Sequence, residues 1–155
     1  MTNPATVERK SDRELVVTRS VDAPARLVFE AWTNPELFLR WWIPQSSGVS
    51  LLSHDMDIRT GGSYRLVFSH PSAPQPMTFF GSYIEVTAPL RMVWTNEESP
   101  DGAVTTVTFA EKDGKTLVVL TDLYPSKDAL DAAIASGSTS GFDEQFAQLD
   151  VLLKR

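Results

Sequence analysis

The sequence predicts an α+β domain in which one curved, seven-stranded antiparallel sheet is covered by a long C-terminal helix. Three observations support this fold class. A segment rich in β-branched residues, 14–21, is followed by two short segments with helical spacing, within residues 24–42. Within residues 49–123, several segments alternate apolar and polar side chains between short turns, which is typical of strands with one covered face. Residues 142–153 then carry one apolar stripe at helical spacing.

A length of 155 residues indicates one domain, which we place at residues 14–155. Residues 1–13 are polar, with Val7 as the one sizeable aliphatic residue after Met1. We therefore predict a flexible N-terminal tail ahead of the domain.

The two short helices after the first strand are marked by prolines. Pro24 and Pro35 stand where each helix would begin, and a proline is tolerated there because its missing N–H has no partner inside the helix. Large apolar residues then recur at helical spacing: Val28, Phe29 and Trp32 in the first helix, and Leu37, Phe38, Trp41 and Trp42 in the second. Both helices are predicted to present an aromatic face to the rest of the domain.

Six further strands are predicted to form a meander, because each lies a short turn from the next. Residues 52–59 alternate, and Gly61 and Gly62 after Thr60 then favour a tight hairpin. A proline-rich loop, 70–76, precedes a strand at 77–86 whose two faces both carry aromatic residues, so its inward side stays open.

Two helical segments are predicted at the C-terminus. Ser126 is placed to cap the first, and a glycine- and serine-rich break at 137–141 follows it. The terminal helix carries its stripe at Phe142, Phe146, Leu149 and Leu153. Ser140 and Asp143 are predicted to begin that helix, the serine as an N-cap and the carboxylate at the positive end of the helix dipole.

Composition excludes several classes of function. The sequence has no cysteine, which excludes disulfides and thiolate chemistry. A formal charge of −6 without any run of Lys or Arg argues against a nucleic-acid partner. Because there is no signal-peptide pattern and no apolar stretch long enough to cross a bilayer, we expect a cytoplasmic protein without membrane insertion.

Four segments resemble a known family: residues 23–42, 57–68, 81–96 and 141–153. They resemble the small proteins named after the activator of the ninety-kilodalton heat-shock-protein ATPase, within the START and birch-pollen-allergen (SRPBCC) superfamily. The resemblance implies a helix-grip fold with a cavity between the sheet and the terminal helix. One departure is Phe142, where these proteins more often have tryptophan. The superfamily includes carriers, cyclases, aromatases and co-chaperones, so the resemblance is specific for fold and weak for function.

Seven residues are predicted to bind a ligand. The inferred inward faces carry six rings: Tyr64, Phe68, Trp94, Phe109, Phe142 and Phe146. Rings of this kind line pockets for apolar or aromatic ligands, although they also pack into solid cores. His54 interrupts an apolar face between Leu52 and Met56, either as a polar group in the pocket or as a core histidine bonded to the backbone.

No catalytic residue, cofactor or metal site is predicted. Alternation sends Asp55 and Asp57 to the face opposite His54, which makes a shared metal improbable. The favoured function is a carrier for a small apolar or aromatic ligand, as a monomer or homodimer. A cavity enzyme resembling polyketide cyclases is the alternative, and it requires His54 or Glu85 at the ligand. A co-chaperone-like regulator is the third hypothesis.

Overall fold

A computed structural model describes residues 5–137 and 141–154. Its strands are β1 Thr6–Arg9, β2 Glu14–Val21, β3 Ser50–Met56, β4 Ser63–Ser69, β5 Met77–Thr87, β6 Arg91–Thr95, β7 Val104–Lys112 and β8 Lys115–Leu123. Its helices are α1 Ala25–Thr33, α2 Pro35–Trp41, α3 Lys127–Ala135 and α4 Phe142–Leu153, with a 3₁₀ turn at Gln45–Ser47. None of the helices in the described ranges is both long and apolar enough to span a membrane.

The strands form one open antiparallel sheet in the order β1-β2-β8-β7-β6-β5-β4-β3. The α+β class and the antiparallel arrangement are confirmed, but the predicted number of seven strands is wrong because the described residues form eight. The additional strand is β1, which pairs with β2 at the sheet edge, with Thr6 opposite Thr18. All four residues of β1 are exposed, so no alternation of apolar and polar residues marks it in the sequence.

The helices begin where the sequence indicates. Pro24 precedes α1, and Pro35 is the first residue of α2. The side chain of Asn34 caps α2 by accepting a hydrogen bond of 3.0 Å from the backbone N–H of Glu36. Ser126 caps α3 in the same way, at 3.1 Å from the N–H of Ala129.

Aromatic rings from α1, α2, α4 and the sheet form the centre of the core. The Trp32 ring lies 4.3 Å from that of Trp41, 5.2 Å from that of Phe109 and 6.3 Å from that of Phe146, measured between centroids. Each of these four side chains is at most 2% exposed. The aromatic faces predicted for the two short helices therefore meet the sheet and the terminal helix.

Helix α4 packs against α1 and α2 and is bonded to the sheet through β2. The buried guanidinium of Arg19 donates to both carboxylate oxygens of Asp150, at 2.8 and 2.7 Å, and lies 5.5 Å from the centre of the Phe146 ring. Phe146 and Leu149, the middle of the predicted stripe, are buried. The predicted cap Ser140 lies outside the described residues, and Gly141 is the N-cap residue.

Candidate ligand cavity

An inner cavity of about 370 Å³ lies between strands β3–β6 and helices α1, α2 and α4. Its lining is largely apolar and aromatic and includes Trp32, Phe38, Trp42, Val49, Met56, Tyr64, Leu66, Phe68, Met77, Phe79, Tyr83, Met92 and Trp94. The polar lining residues are Ser47, Asn96 and Gln145, and none of the described lining residues carries a formal charge. Such a surface suits an apolar ligand.

Strand β4 positions the floor of this cavity. Tyr64, Leu66 and Phe68 point inward, and the antiparallel register sets Leu66 opposite Phe79 and Tyr64 opposite Gly81. A Cβ atom at Gly81 would lie 2.0 Å from the carbonyl oxygen of Thr95 on β6. Only glycine therefore permits this close approach of β5 to β6.

Three of the predicted ligand-binding residues, Tyr64, Phe68 and Trp94, line the inner cavity. Phe109 and Phe146 instead belong to the packed core, where rings from α1 cover them. Phe142 is partly buried and lines a second cavity beside the first.

His54 lies outside the lining of both cavities and is exposed on edge strand β3. It stands opposite Leu66 in the register, and β3 is the edge strand of the sheet that the described residues form. A register shift between Leu51 and Ser53 also interrupts the predicted alternation and leaves Leu52 55% exposed. Strand alternation predicted which face of the sheet His54 occupies, but at this edge strand the side chain is exposed to solvent.

Several lining residues were not predicted as ligand contacts, and the sequence carries a signal for two of them. Trp42 follows Trp41, and two adjacent tryptophans on a helix cannot both face the same core. Met92 alternates with Trp94 on β6 and shares its inward face. Tyr83 had no such signal, because both faces of β5 are aromatic.

Two polar side chains of the inner cavity are hydrogen-bonded to backbone carbonyls. The Tyr64 hydroxyl donates to the carbonyl oxygen of Thr95 at 2.7 Å, and the Gln145 amide donates to that of Trp42 at 2.6 Å. Burial raises the pKa of the Tyr64 and Tyr83 phenols above its ordinary value, and nearby carboxylates raise it further. Both phenols are therefore neutral at physiological pH.

One buried donor at the cavity lacks an acceptor. Among the described residues, the Nε1–H of Trp32 has no hydrogen-bond partner, although the side chain is 1% exposed. The neighbouring Trp41 differs, since its Nε1–H donates to the carbonyl oxygen of Ala31 at 2.9 Å. A buried donor without an acceptor costs free energy, so the indole N–H of Trp32 is an unsatisfied donor in the cavity wall.

An outer cavity of about 660 Å³ adjoins the inner one, and Trp42, Trp94 and Asn96 are among the residues that line both. Its lining includes three carboxylates, Glu98, Asp122 and Glu144. The two cavities therefore differ in character: the inner one is uncharged, and the outer one is acidic.

Asp122 is the least solvated of these carboxylates. Its Oδ1 accepts a hydrogen bond of 2.6 Å from the hydroxyl of Thr105, its direct cross-strand partner. Burial raises the pKa of Asp122 to about 6, and the Thr105 bond opposes that rise. The sequence carries no clear signal for it, because residues 117–120 form an unbroken apolar run; only the burial of β8 alternates, with Val118 and Leu120 buried and Asp122 on the same face.

Glu85, the other candidate base, lies outside the lining of both cavities. Its carboxylate pairs with Arg91 at 3.2 Å and accepts from the Thr87 hydroxyl at 2.9 Å. A register shift between Tyr83 and Glu85 separates it from the buried Tyr83.

An open antiparallel sheet, helices packed on it and an apolar cavity between them are features of the START-like and birch-pollen-allergen-like superfamily. A family model described as "Activator of Hsp90 ATPase homolog 1-like protein" matches residues 22–154. The chain belongs to this family.

Solved structures share the fold. A Rhodobacter sphaeroides protein is 22% identical, with 96% of this chain and 97% of that one covered and a TM-score of 0.86. A Staphylococcus epidermidis protein is 30% identical, with coverage of 96% and 93% and a TM-score of 0.78. An AHSA1-like protein from Aeromonas hydrophila is 18% identical, with coverage of 90% and 96% and a TM-score of 0.64. No curated protein matches the sequence.

Proposed function

We propose that this protein binds and carries a small apolar or aromatic ligand in the inner cavity. The observation that carries the proposal is a volume of about 370 Å³ walled by rings and aliphatic side chains, without a charged group among its described lining residues. Transfer of an apolar molecule from water into such a space is favourable, roughly in proportion to the apolar area that it buries.

The open volume of the inner cavity favours a ligand carrier over a protein whose rings fill a solid core. Phe29, Trp32 and Phe109 pack edge to face with centroid separations near 5 Å, as in a filled core. The rings of Phe68 and Trp94 lie instead along an open volume. In the proposed carrier, helix α4 closes the sheet in the manner of a helix-grip fold and contributes Gln145 to the wall.

Support for the enzyme alternative is weaker, because it depended on His54 or Glu85. Neither residue is among the described lining of the inner or the outer cavity, and Glu85 is already paired with Arg91. A general base must lie within hydrogen-bond reach of the proton that it removes. The uncharged wall of the inner cavity therefore favours binding over chemistry.

The proposal can be tested with a neutral fluorescent probe, N-phenyl-1-naphthylamine, which becomes bright in apolar surroundings. We expect it to bind the native protein and to raise the melting temperature by mass action. Phe68→Ala and Trp94→Ala should each weaken binding by about tenfold or more, because each removes part of the wall against which the probe packs.

Phe80→Ala is the matched control, since Phe80 lies on β5 outside both cavity linings and is 41% exposed. Its effect on probe affinity should stay below about twofold. Equal effects of Phe68→Ala and Phe80→Ala, or no binding across a broad apolar library, would favour the solid core.

A further inference from the structure

The outer cavity combines negative charge with aromatic surface. Glu98, Asp122 and Glu144 line it, and the described linings of the two cavities contain no Lys, Arg or His. The nearest charges that a ligand meets there are therefore negative. Burial raises the pKa of the Tyr64 and Tyr124 phenols, and the negative charges of Glu98 and Asp122 respectively raise it further, so the negative field extends into both linings.

The three carboxylates differ in what they already bind. Glu144 accepts hydrogen bonds from the backbone N–H and the hydroxyl of Ser46, which hold its pKa below the ordinary range. Glu98 is exposed. Asp122 is partly buried, and its Oδ1 accepts a hydrogen bond from Thr105, whereas its Oδ2 has no hydrogen-bond partner among the residues that the structure describes.

The unpartnered oxygen points to a particular kind of ligand group. Removing a carboxylate from water costs free energy unless an opposite charge or hydrogen-bond donors replace the water. No cationic side chain lines this cavity among the described residues. A positively charged group on a ligand would supply the opposite charge that these lining side chains do not provide.

Aromatic rings complete the surroundings of such a group. Trp42, Trp94, Phe142 and Tyr124 line the outer cavity together with Asp122. The face of an aromatic ring attracts a cation, tryptophan most strongly, and aromatic cages recognise protonated and quaternary amines. Trp42 and Trp94 also belong to the inner wall, so the cationic site adjoins the apolar one.

We propose that the ligand is an organic cation, with an apolar or aromatic body in the inner cavity and a protonated or quaternary nitrogen beside the Asp122 carboxylate in the outer cavity. This inference rests on the proposed carrier function and narrows its ligand class. Carboxylic acids of similar size should bind more weakly, because their charge is repelled by Glu98 and Asp122.

A matched series of naphthalene compounds tests the charge requirement. 2-Naphthylmethylamine, 2-naphthylmethanol and 2-naphthoate share one ring system and differ in charge, and their affinities can be measured by isothermal titration calorimetry. At pH 7.5, where Asp122 is ionised, we expect the amine to bind at least about tenfold more tightly than the alcohol. The naphthoate should bind most weakly.

Asp122→Asn should remove the preference, because asparagine keeps the shape and the Thr105 bond without the charge. The amine should then bind within about twofold of the alcohol, whose own affinity should be nearly unchanged. Asp55→Asn is the matched control: Asp55 is exposed on β3 and outside both cavity linings. Asp55→Asn should leave the wild-type order of affinities for the three compounds unchanged.

Equal binding of amine and alcohol to the wild type would overturn this inference and leave the carrier function standing. That comparison needs no variant, so it holds even if Asp122→Asn folds poorly. A preference for the amine that persists in folded Asp122→Asn would overturn the assignment to Asp122. Absence of binding by all three compounds would contradict the proposed carrier function itself.

Discussion

The Phe146 ring lies where helix α4 meets the core, and truncating it tests the role of that helix. The side chain is 2% exposed and its ring centroid lies 6.3 Å from that of Trp32 and 6.5 Å from that of Trp41. Arg19 covers it from β2, with 5.5 Å between the guanidinium carbon and the ring centre. Phe146→Ala would leave a cavity bordered by both indoles and would uncover the apolar side of the Arg19–Asp150 pair.

The expected cost follows from these contacts. Replacing a fully buried phenylalanine by alanine typically lowers the free energy of unfolding by about 3–5 kcal/mol, through lost transfer free energy and the cavity left behind. Loss of the cation–π contact with Arg19 adds roughly 0.5–2 kcal/mol. Rings from α1 and α2 hold the site open, so little collapse is expected and the upper part of the range applies.

Urea denaturation followed by far-UV circular dichroism measures this cost. A lower midpoint with an unchanged slope would report lost stability in a two-state transition. Phe80→Ala is the control, because the same atoms are removed from a side chain that is 41% exposed, at an expected cost under about 1 kcal/mol. Equal midpoints for the two variants would show that the packing of α4 contributes little to stability. That result would also contradict the role of α4 as a wall of the cavity.

Two further predictions concern buried polar groups. Trp41→Phe should lower the free energy of unfolding by about 1 kcal/mol more than Trp32→Phe, because only Trp41 loses a hydrogen bond, to Ala31; equal costs in chemical denaturation would contradict this. The raised pKa of Asp122, about 6, means that the folded state holds this proton more tightly than the unfolded state. Its contribution to stability is therefore complete below about pH 4 and is lost as the pH rises to about 6, by roughly 1–3 kcal/mol. Denaturation of the wild type and of Asp122→Asn at pH 4 and pH 7 measures that loss as a change in their stability difference, and a pH-independent difference would contradict it.

The order of elements was predictable because local signals and tertiary packing agree. Prolines mark the beginnings of α1 and α2, and the apolar stripe of 142–153 predicts the buried side of α4. Strand β1 was not predictable in this way. It has backbone partners in β2 but buries no side chain, and the alternation signal reports only burial.

The candidate site was predictable only in part, because alternation gives a side chain's face and not what covers it. Trp94 and Phe109 both point inward from β6 and β7. Phe109 meets the ring of Phe29 from α1 at 5.3 Å, whereas Trp94 lies along the cavity. The position at which α1 crosses the sheet decides whether an inward-pointing ring packs in the core or lines the cavity. Strand periodicity carries no information about that position.

Four tryptophans give the most direct measurement of the central claim, that an apolar ligand occupies the inner cavity. Trp32, Trp42 and Trp94 line this cavity, whereas Trp41 does not and is bonded to Ala31. Titrating N-phenyl-1-naphthylamine into ¹⁵N-labelled protein and recording the indole N–H resonances by NMR reports on each side chain separately. We expect the resonances of the three lining tryptophans to shift on saturation while that of Trp41 moves least. A probe that binds by fluorescence and leaves those three resonances in place would contradict an occupied cavity.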